Sequence, residues 1–405
     1  MMNPPLLRPT AALLGLILIA TLSLSCETTS TTTTENADPN RAAFVTRLGN
    51  DTLVVEQFVR TPTRMEADVV IRTPRTTVRH YVFEMDETGA MQRFEATVHN
   101  PADSAGAPPI RTDIATVEGD SLVLVTIQGD ETRTRKIAGH DGMLPFLDML
   151  HWPFELMLTR AYASGADSVT QDLFTGRGAL SFVVRRVGDG AMTAQHPFRG
   201  TMEVRVDDEG RLLHLDAGAT TRKLIVERVP SVDLEGLAQT FAARDKEGRS
   251  FGALSGRGEA TATVHGAVIN VDYGTPSKRG REIFGTLVPY GEVWRTGANR
   301  ATHFTTDRTL VFGDLEVPAG EYTLYSIPAE DGGTLIINTQ TGQGGTTYNA
   351  DRDLGRVALN RTTLDETVEL FTIRVEETDE GGVLKLQWDR TELSVAFTVK
   401  AEGTG

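Results

Sequence analysis

Short runs of alternating apolar and polar residues, bounded by Gly, Asp or Pro, constrain the fold of this chain most strongly. Residues 52–59, 77–83 and 121–127 are examples, and all are rich in β-branched or aromatic side chains. A period of two places every second side chain on the same face of a strand. The intervening sequences 86–89 and 207–210 suit hairpin turns. The pattern predicts a mainly β chain built from antiparallel sheets.

One segment departs from this pattern. Residues 143–160 are apolar nearly all round and contain Pro145 and Pro153. Pro153 predicts that a helix kinks or restarts there, and a helix that is apolar on every side must be buried. We therefore expect residues 43–250 to form a curved antiparallel sheet packed on one or two short buried helices. The alternative is that the segment lines a pocket for an apolar ligand, as in the half-barrel periplasmic carriers of hydrophobic molecules, which the expected fold resembles.

A domain boundary is predicted after a second helical stretch at 233–244. The following residues, 246–258, are rich in Gly and Ser, which is typical of a connection between domains. From residue 260 onward, short strands return at close spacing without an intervening helix. This arrangement predicts a β-sandwich over residues 260–402.

The N-terminus carries features of export. An apolar stretch at 11–24 is too short to span a bilayer and suits the core of a signal peptide. It is followed by Cys26, the only cysteine, and by a Thr-rich run. The arrangement resembles a bacterial lipobox, although Ser23 stands where Leu is usual. We expect residues 1–25 to be a signal peptide and residues 26–42 to be a lipidated Cys26 with a polar tether.

This prediction places the protein in the bacterial cell envelope, anchored to a membrane by acyl chains on Cys26 and facing the periplasm. Plain secretion, or a retained anchor with a chance cysteine, are the alternatives. The formal net charge of −15 over 405 residues argues against non-specific nucleic-acid binding. No nucleic-acid partner is therefore expected.

A basic segment at 278–300 stands out within the acidic C-terminal part. It holds five cations against two anions, Glu282 and Glu292. Such a local excess of positive charge indicates a site for an anion or polar ligand. Arg295 with Asn299 could grip a carboxylate, phosphate or sugar, with Trp294 as a stacking face and Arg281 and Tyr273 at the rim. The alternative is structural: Trp294 would anchor the core and Arg295 would pair with Asp272 or Glu292.

Ordered motifs in this region resemble a known family. They are Asp272-Tyr273-Gly274-Thr275-Pro276, Val293-Trp294-Arg295-Thr296-Gly297-Ala298-Asn299 and Pro318-Ala319-Gly320-Glu321-Tyr322. Over roughly residues 262–400 the chain is similar to the bacterial family called domain of unknown function 2911. The resemblance implies a secreted bacterial β-domain and carries no established reaction. Residues 41–255 lie outside it.

The sequence shows no arrangement of a nucleophile with a base, and its histidines lack metal-ligand spacing. No catalytic residue, metal or cofactor is therefore predicted. We expect binding rather than catalysis, with a small polar or anionic ligand held by the C-terminal domain. Two alternatives stay open. One is a carrier of hydrophobic ligands that uses residues 143–160, and the other is an envelope hydrolase with Asp272 or Glu282 as acid or base beside Arg281.

Overall fold

A computed structural model describes residues 40–103 and 106–401. In this range the chain has 24 strands, two α-helices and one short 3-10 helix, Ala350–Arg352. The predicted mainly β class is thus confirmed. The signal peptide, Cys26 and nearly all of the tether lie outside the described residues. So do residues 402–405.

The first fifteen strands form one sheet. In chain order they are β1 Arg41–Leu48, β2 Asp51–Arg60, β3 Arg64–Ile71, β4 Thr77–Met85, β5 Met91–His99, β6 Arg111–Glu118, β7 Ser121–Gln128, β8 Glu131–Ala138, β9 Leu144–Pro145, β10 Ser168–Phe174, β11 Ala179–Gly188, β12 Ala191–His196, β13 Gly200–Val206, β14 Leu212–Asp216 and β15 Leu224–Val229. Their spatial order is β8-β7-β6-β5-β4-β3-β2-β1-β15-β14-β13-β12-β11-β10-β9. The sheet is therefore two meanders joined where β1 pairs with β15. Only the short β9 runs parallel to its neighbour, β10.

Helix α1, Trp152–Ala163, explains the apolar segment. It is a single helix, and Pro153 lies in its first turn. Backbone N–H groups in the first turn have no acceptor within the helix, so a proline there removes no hydrogen bond. The preceding residues form β9 and a loop instead of a second helix. Residues 152–159 are all buried, and Trp152, Phe154 and residues 156–158 share one core cluster with side chains of the first sheet.

A distant carboxylate caps α1. The residue before the helix, His151, makes no side-chain cap. Instead Glu56 of β2, which is fully buried, accepts hydrogen bonds from the backbone N–H groups of His151 (2.9 and 3.0 Å) and Trp152 (3.0 Å). A carboxylate at a helix N-terminus satisfies unpaired donors and favours the helix dipole. The strand and the helix are thereby fixed to each other.

Helix α2, Leu234–Lys246, follows the first sheet. Asp233 caps it by accepting from the N–H of Gly236 at 2.9 Å. Phe241 of α2 packs in a small cluster with Val70 of β3, and the guanidinium of Arg72 lies 4.3 Å from the centre of its ring. The helix therefore covers part of the first sheet.

The remaining strands form a second sheet. They are β16 Ser255–Val264, β17 Ala267–Pro276, β18 Thr302–Thr306, β19 Leu310–Phe312, β20 Leu315–Val317, β21 Gly320–Ala329, β22 Gly332–Asn338, β23 Asp353–Thr378 and β24 Gly381–Val399. Their order is β16-β17-β18-β21-β22-β23-β24-β19-β20, and they enclose a separate hydrophobic cluster. Residues 383–388 and 393–399, two short runs rich in apolar residues, both belong to β24. β23 and β24 pair as a long antiparallel ribbon, and their register is irregular between Thr363 and Thr372.

Arg279 joins the second sheet's long β17–β18 loop to the first sheet. Its guanidinium pairs with Asp51 at 2.8 Å, donates to the carbonyl of Phe251 at 3.0 Å and lies 3.8 Å from the centre of that ring. Its carbonyl accepts from the N–H of Asn50 at 3.0 Å. One cation of the basic segment is therefore structural.

Candidate functional site

A cavity of about 460 Å³ lies beside this junction. Four of the five predicted ligand-binding residues line it, namely Arg281, Trp294, Arg295 and Asn299. All four come from the β17–β18 loop. The opposite wall comes from the first sheet: Arg199 follows β12, and residues 219–223 connect β14 to β15. We call this the basic cavity.

Arg295 is a half-buried cation without a counter-ion. Among the described residues its guanidinium makes one hydrogen bond, from Nε to the carbonyl of Gly297 at 3.4 Å, and no ion pair. Burial lowers its pKa. A side chain at Gly345 would collide with Cδ of Arg295, so a glycine is needed for the arginine to lie where it does. Neither Asp272 nor Glu292 pairs with it, contrary to the structural alternative.

Arg281 is held by backbone carbonyls. Its Nε donates to Lys278 O at 3.0 Å and its Nη2 to Ser277 O at 2.5 Å. Burial lowers its pKa, and the charge of Arg279 lowers it further. No carboxylate within the described ranges forms an ion pair with it. The carbonyls fix its direction and leave its charge uncompensated.

Lys223 completes a group of three unpaired cations. It makes no ion pair in the part of the chain that the structure describes. Burial lowers its pKa, and the positive charges of Arg281 and Arg295 add to that effect, against a weaker opposing influence of Asp216 and Glu292. Lys223 therefore lies close enough to Arg281 and to Arg295 to be repelled by both. An anion bound among them would relieve this repulsion.

Two further cations in the wall share one carboxylate. Asp148 binds Arg199 at 2.6 Å and also Arg222, both through ion pairs. Burial opposes ionisation of Asp148, but the two arginines outweigh it and lower its pKa. This part of the wall therefore carries a net charge near +1.

Aromatic side chains form the floor. Trp294 is stacked on Trp388, with ring centres 6.0 Å apart and planes at 14°. The ring centres of Trp294 and Phe371 lie 5.0 Å apart in an edge-to-face arrangement. Tyr325 and Tyr348 line the same cavity. Trp294 thus packs against the core, as the structural alternative expects, and also presents a surface to the cavity. The floor suits the apolar face of a sugar or a ring.

Backbone strain concentrates around the cavity. Seven described non-glycine residues have positive φ. Four of them, Lys223 (φ 57°), Arg279 (φ 49°), Thr296 (φ 53°) and Asn299 (φ 64°), lie in the two loops that form its walls. Such conformations cost roughly 1–3 kcal/mol each and tend to cluster at functional sites. The strain is therefore consistent with a binding role.

The other predicted groups lie elsewhere. Tyr273 does not line the basic cavity, because it is buried with its edge against Phe371 and its hydroxyl faces Ile373 O at 3.5 Å. Asp272 pairs with Arg257 at 2.6 Å, and Glu282 accepts from Thr286 at 3.0 Å. Within the described ranges, no carboxylate, histidine or cysteine lines the basic cavity. The described lining instead offers cations, hydroxyl groups and aromatic rings.

Sequence reasoning missed the first sheet's contribution. Arg199, Arg222 and Lys223 lie in short turns that resemble ordinary hairpin connections. The one local clue is the polar run Thr220-Thr221-Arg222-Lys223, which places two cations together. Nothing in the sequence shows that this turn meets the loop that carries Arg281, Arg295 and Asn299.

The segment 143–160 also borders a second depression, which we call the seam groove. It has a volume of about 710 Å³ and is lined by Pro145, Phe146 and Leu147 together with residues of β6, β7 and β10. Four arginines and two carboxylates stand among its lining residues. Most of the segment is core, and only its first residues reach this groove.

Two kinds of feature are absent from the described residues. No group of three or more His, Cys, Asp or Glu side chains in this range is arranged to hold a metal ion. Neither described helix combines the length and apolar character that a membrane crossing requires.

Comparison with solved structures gives only remote similarity. A crystal structure of a DUF1089 family protein from Pseudomonas aeruginosa has 13% identity and a TM-score of 0.27, over 41% of this chain and 90% of that one. A beta-barrel-like protein of domain of unknown function DUF1849 from Brucella abortus has 12% identity and a TM-score of 0.31, over 47% of this chain and 95% of that one. Both TM-scores are too low to support an argument.

Comparison with curated proteins found no match. Comparison with family descriptions did find one, over the second sheet and the loop that supplies Arg281 and Arg295. The motifs around Tyr273, Trp294 and Gly320 predict the same assignment. Residues 255–397 match the family described as Protein of unknown function (DUF2911), which confirms the resemblance for the C-terminal part of the chain.

Proposed function

We propose that the protein is a non-enzymatic binding protein whose basic cavity holds a small anionic ligand, a carboxylate or a phosphate. The observation that carries this proposal is the group Lys223, Arg281 and Arg295: three cations in one cavity, without an ion-pair partner among the described residues. Isolated buried charges are costly unless they are paired. A bound anion is the simplest partner that offsets this cost.

The ligand site extends beyond the C-terminal domain. The sequence alone assigns the ligand to that domain, whereas Lys223 and Arg199 belong to the first sheet. Arg279 fixes the two sheets beside the cavity. In this proposal the ligand adds a further link between them. The finer architecture, a curved sheet over short helices followed by a β-sandwich, is part of the same proposal and is supported by the two separate core clusters.

Replacement of Arg295 by Met tests this function. The stem of the side chain is kept and the charge is removed, so we expect the affinity for inorganic phosphate or acetate to fall about ten- to hundredfold, since a hydrogen bond to a charged group contributes about 1.5–3 kcal/mol. Titration calorimetry measures this change. The melting temperature should not fall, because Arg295 has no ion pair to lose and burial disfavours its charge.

Arg300→Met is the matched control. It removes the same charge from the same loop but at an exposed position outside the lining of the basic cavity. We expect it to leave anion affinity almost unchanged. Equal affinity in Arg295→Met and the wild type would contradict the proposal. A large fall in melting temperature would show instead that Arg295 is structural.

We propose further that the protein is a lipoprotein of the bacterial cell envelope, anchored through Cys26 and facing the periplasm. The support is the apolar stretch, the lone Cys26 and the polar tether in the sequence. Acyl chains contribute roughly 0.8 kcal/mol per buried CH₂, so anchoring depends on them. We expect Cys26→Ser to move the protein from the membrane to the soluble fraction in cell fractionation. A wild-type protein found only in the soluble or culture fraction would favour plain secretion.

A carrier of hydrophobic ligands is a second candidate, favoured by the size of the seam groove and by the apolar Phe94, Phe146 and Phe174 along it. Native mass spectrometry of protein purified without detergent should then show copurified lipid. A Leu124→Arg variant, which places a charge in the groove, should lose that lipid. Repeated absence of lipid from intact wild-type preparations would exclude this candidate.

The hydrolase alternative gains no support from the positions of Asp272 and Glu282.

A further inference from the structure

A small apolar chamber adjoins the basic cavity. It has a volume of about 40 Å³ and lies beneath residues 146–150, with Phe146, Phe154, Phe182, Met202, Ala217 and Leu224 among its lining residues. A single water needs roughly 10–15 Å³ on this measure. The chamber therefore accommodates about three water-sized groups, or a short hydrocarbon.

The chamber and the basic cavity share part of their walls. Arg199, Thr220 and Arg222 line both. Asp148, which lines the chamber, binds both of these arginines at the boundary. The unpaired cations Lys223 and Arg281 line only the basic cavity. The cations without an ion pair therefore line the basic cavity, whereas the arginines that line the chamber are paired with Asp148.

His196 adds no charge to the chamber wall. Its Nδ1 accepts from the N–H of Phe198 at 3.1 Å, so the ring proton belongs on Nε2. Burial and the charge of Arg199 lower its pKa to about 4. Among the described residues Nε2 has no hydrogen-bond partner, and the ring packs against Phe146 and Phe182. His196 therefore adds an aromatic surface and one neutral donor to the chamber.

From this juxtaposition we propose that the ligand is an anion carrying a short uncharged apolar group, with its charged head among Lys223, Arg281 and Arg295 and its apolar group in the chamber. The inference rests on the proposed anion-binding function and specifies the ligand class. The chamber volume limits the apolar group to about the size of propyl or butyl. Longer chains would have to leave the chamber.

A chain-length series tests this inference. Titration calorimetry of the wild-type protein with n-alkyl phosphates and n-alkyl carboxylates, from one to eight carbons, should show affinity rising about three- to fourfold per methylene. The rise should stop near four carbons. Equal affinities for methyl and butyl phosphate, and for acetate and valerate, would overturn the inference while leaving anion binding intact. If no member of either series binds, the proposed function fails and the inference fails with it.

A variant that fills the chamber provides the second arm. Ala217→Leu adds three carbons to a buried lining position, so it should abolish the chain-length gain while methyl phosphate binds as in the wild type. Ala179→Leu makes the same change at an exposed position of β11 outside the chamber and should keep the gain. An unchanged chain-length gain in Ala217→Leu would overturn the inference. Should Ala217→Leu not fold, the wild-type series alone decides.

Discussion

Replacement of Arg228 by Met should destabilise the protein by about 3–5 kcal/mol, because it strands a buried carboxylate. The side chain of Glu155 in α1 is 2% exposed and is paired with Arg228 of β15 at 3.0 Å. Glu155 also accepts from the N–H of Leu212 at 2.9 Å. Removal of the guanidinium leaves the charge with one backbone donor. Urea unfolding followed by circular dichroism measures the loss.

Two comparisons separate this effect from lost packing. The double variant Glu155→Gln with Arg228→Met removes both charges, keeps an acceptor for Leu212, and should recover most of the lost stability. Arg133→Met breaks an ion pair with Glu131 whose side chains are 79% and 70% exposed, and should change stability by less than about 1 kcal/mol. A double variant as unstable as Arg228→Met alone would contradict this account.

The pH dependence of Arg228→Met has a defined sign. Burial raises the pKa of Glu155, and the charge of Arg228 opposes that rise. Without Arg228 the pKa of Glu155 should rise further. A raised folded-state pKa favours the folded protein at low pH, and this benefit is lost as pH rises through that pKa. The instability of Arg228→Met should therefore shrink on acidification.

A second large effect is expected from His196. Its side chain is 6% exposed, and its pKa is lowered from 6.5 to about 4 by burial and then by Arg199. The unfolded histidine takes up a proton near pH 6.5, whereas the folded one does so only near pH 4. The unfolded state therefore binds more protons between these values, and stability falls as pH falls through this window. The loss amounts to at most about 3 kcal/mol.

His196→Gln should flatten this part of the stability profile. Urea midpoints of wild type and variant, measured from pH 7 to pH 4, should converge as the pH falls. His80→Gln serves as the contrasting variant, because the hydrogen bond that His80 donates to Asp68 raises the pKa of His80. The contribution of His80 to the stability of the folded protein has the opposite sign. This contribution is present below the ordinary pKa of histidine and is lost as the pH rises through the pKa of His80 in the folded state. Parallel profiles for wild type and His196→Gln would contradict the assignment.

Local patterns predict several strands of the fold correctly. The alternation at 52–59, 77–83 and 121–127 corresponds to β2, β4 and β7 because half-buried strands impose a period of two. The helix at 233–244 is found within one or two residues of that range as α2. Pro153 marks the start of α1, as its restricted backbone requires. These features depend only on neighbouring residues.

Long-range contacts could not be predicted in the same way. Glu56 looks like an ordinary polar residue in an alternating strand, yet it is fully buried because it caps a helix about 95 residues later. Lys223 lies in a hairpin turn and becomes a site residue only because the β17–β18 loop reaches it. Arg279 and Arg281 are two residues apart in a basic run, but one joins the sheets and the other lines the cavity. Composition alone cannot separate these roles.

The most direct test of the central proposal is the position of a bound anion. Crystals grown with selenate, an oxyanion that scatters anomalously, would locate it without ambiguity. We expect a selenium peak inside the basic cavity, within hydrogen-bond reach of Lys223, Arg281 and Arg295. A cavity without selenate, in crystals that bind the ion only at exposed surface arginines, would contradict the account.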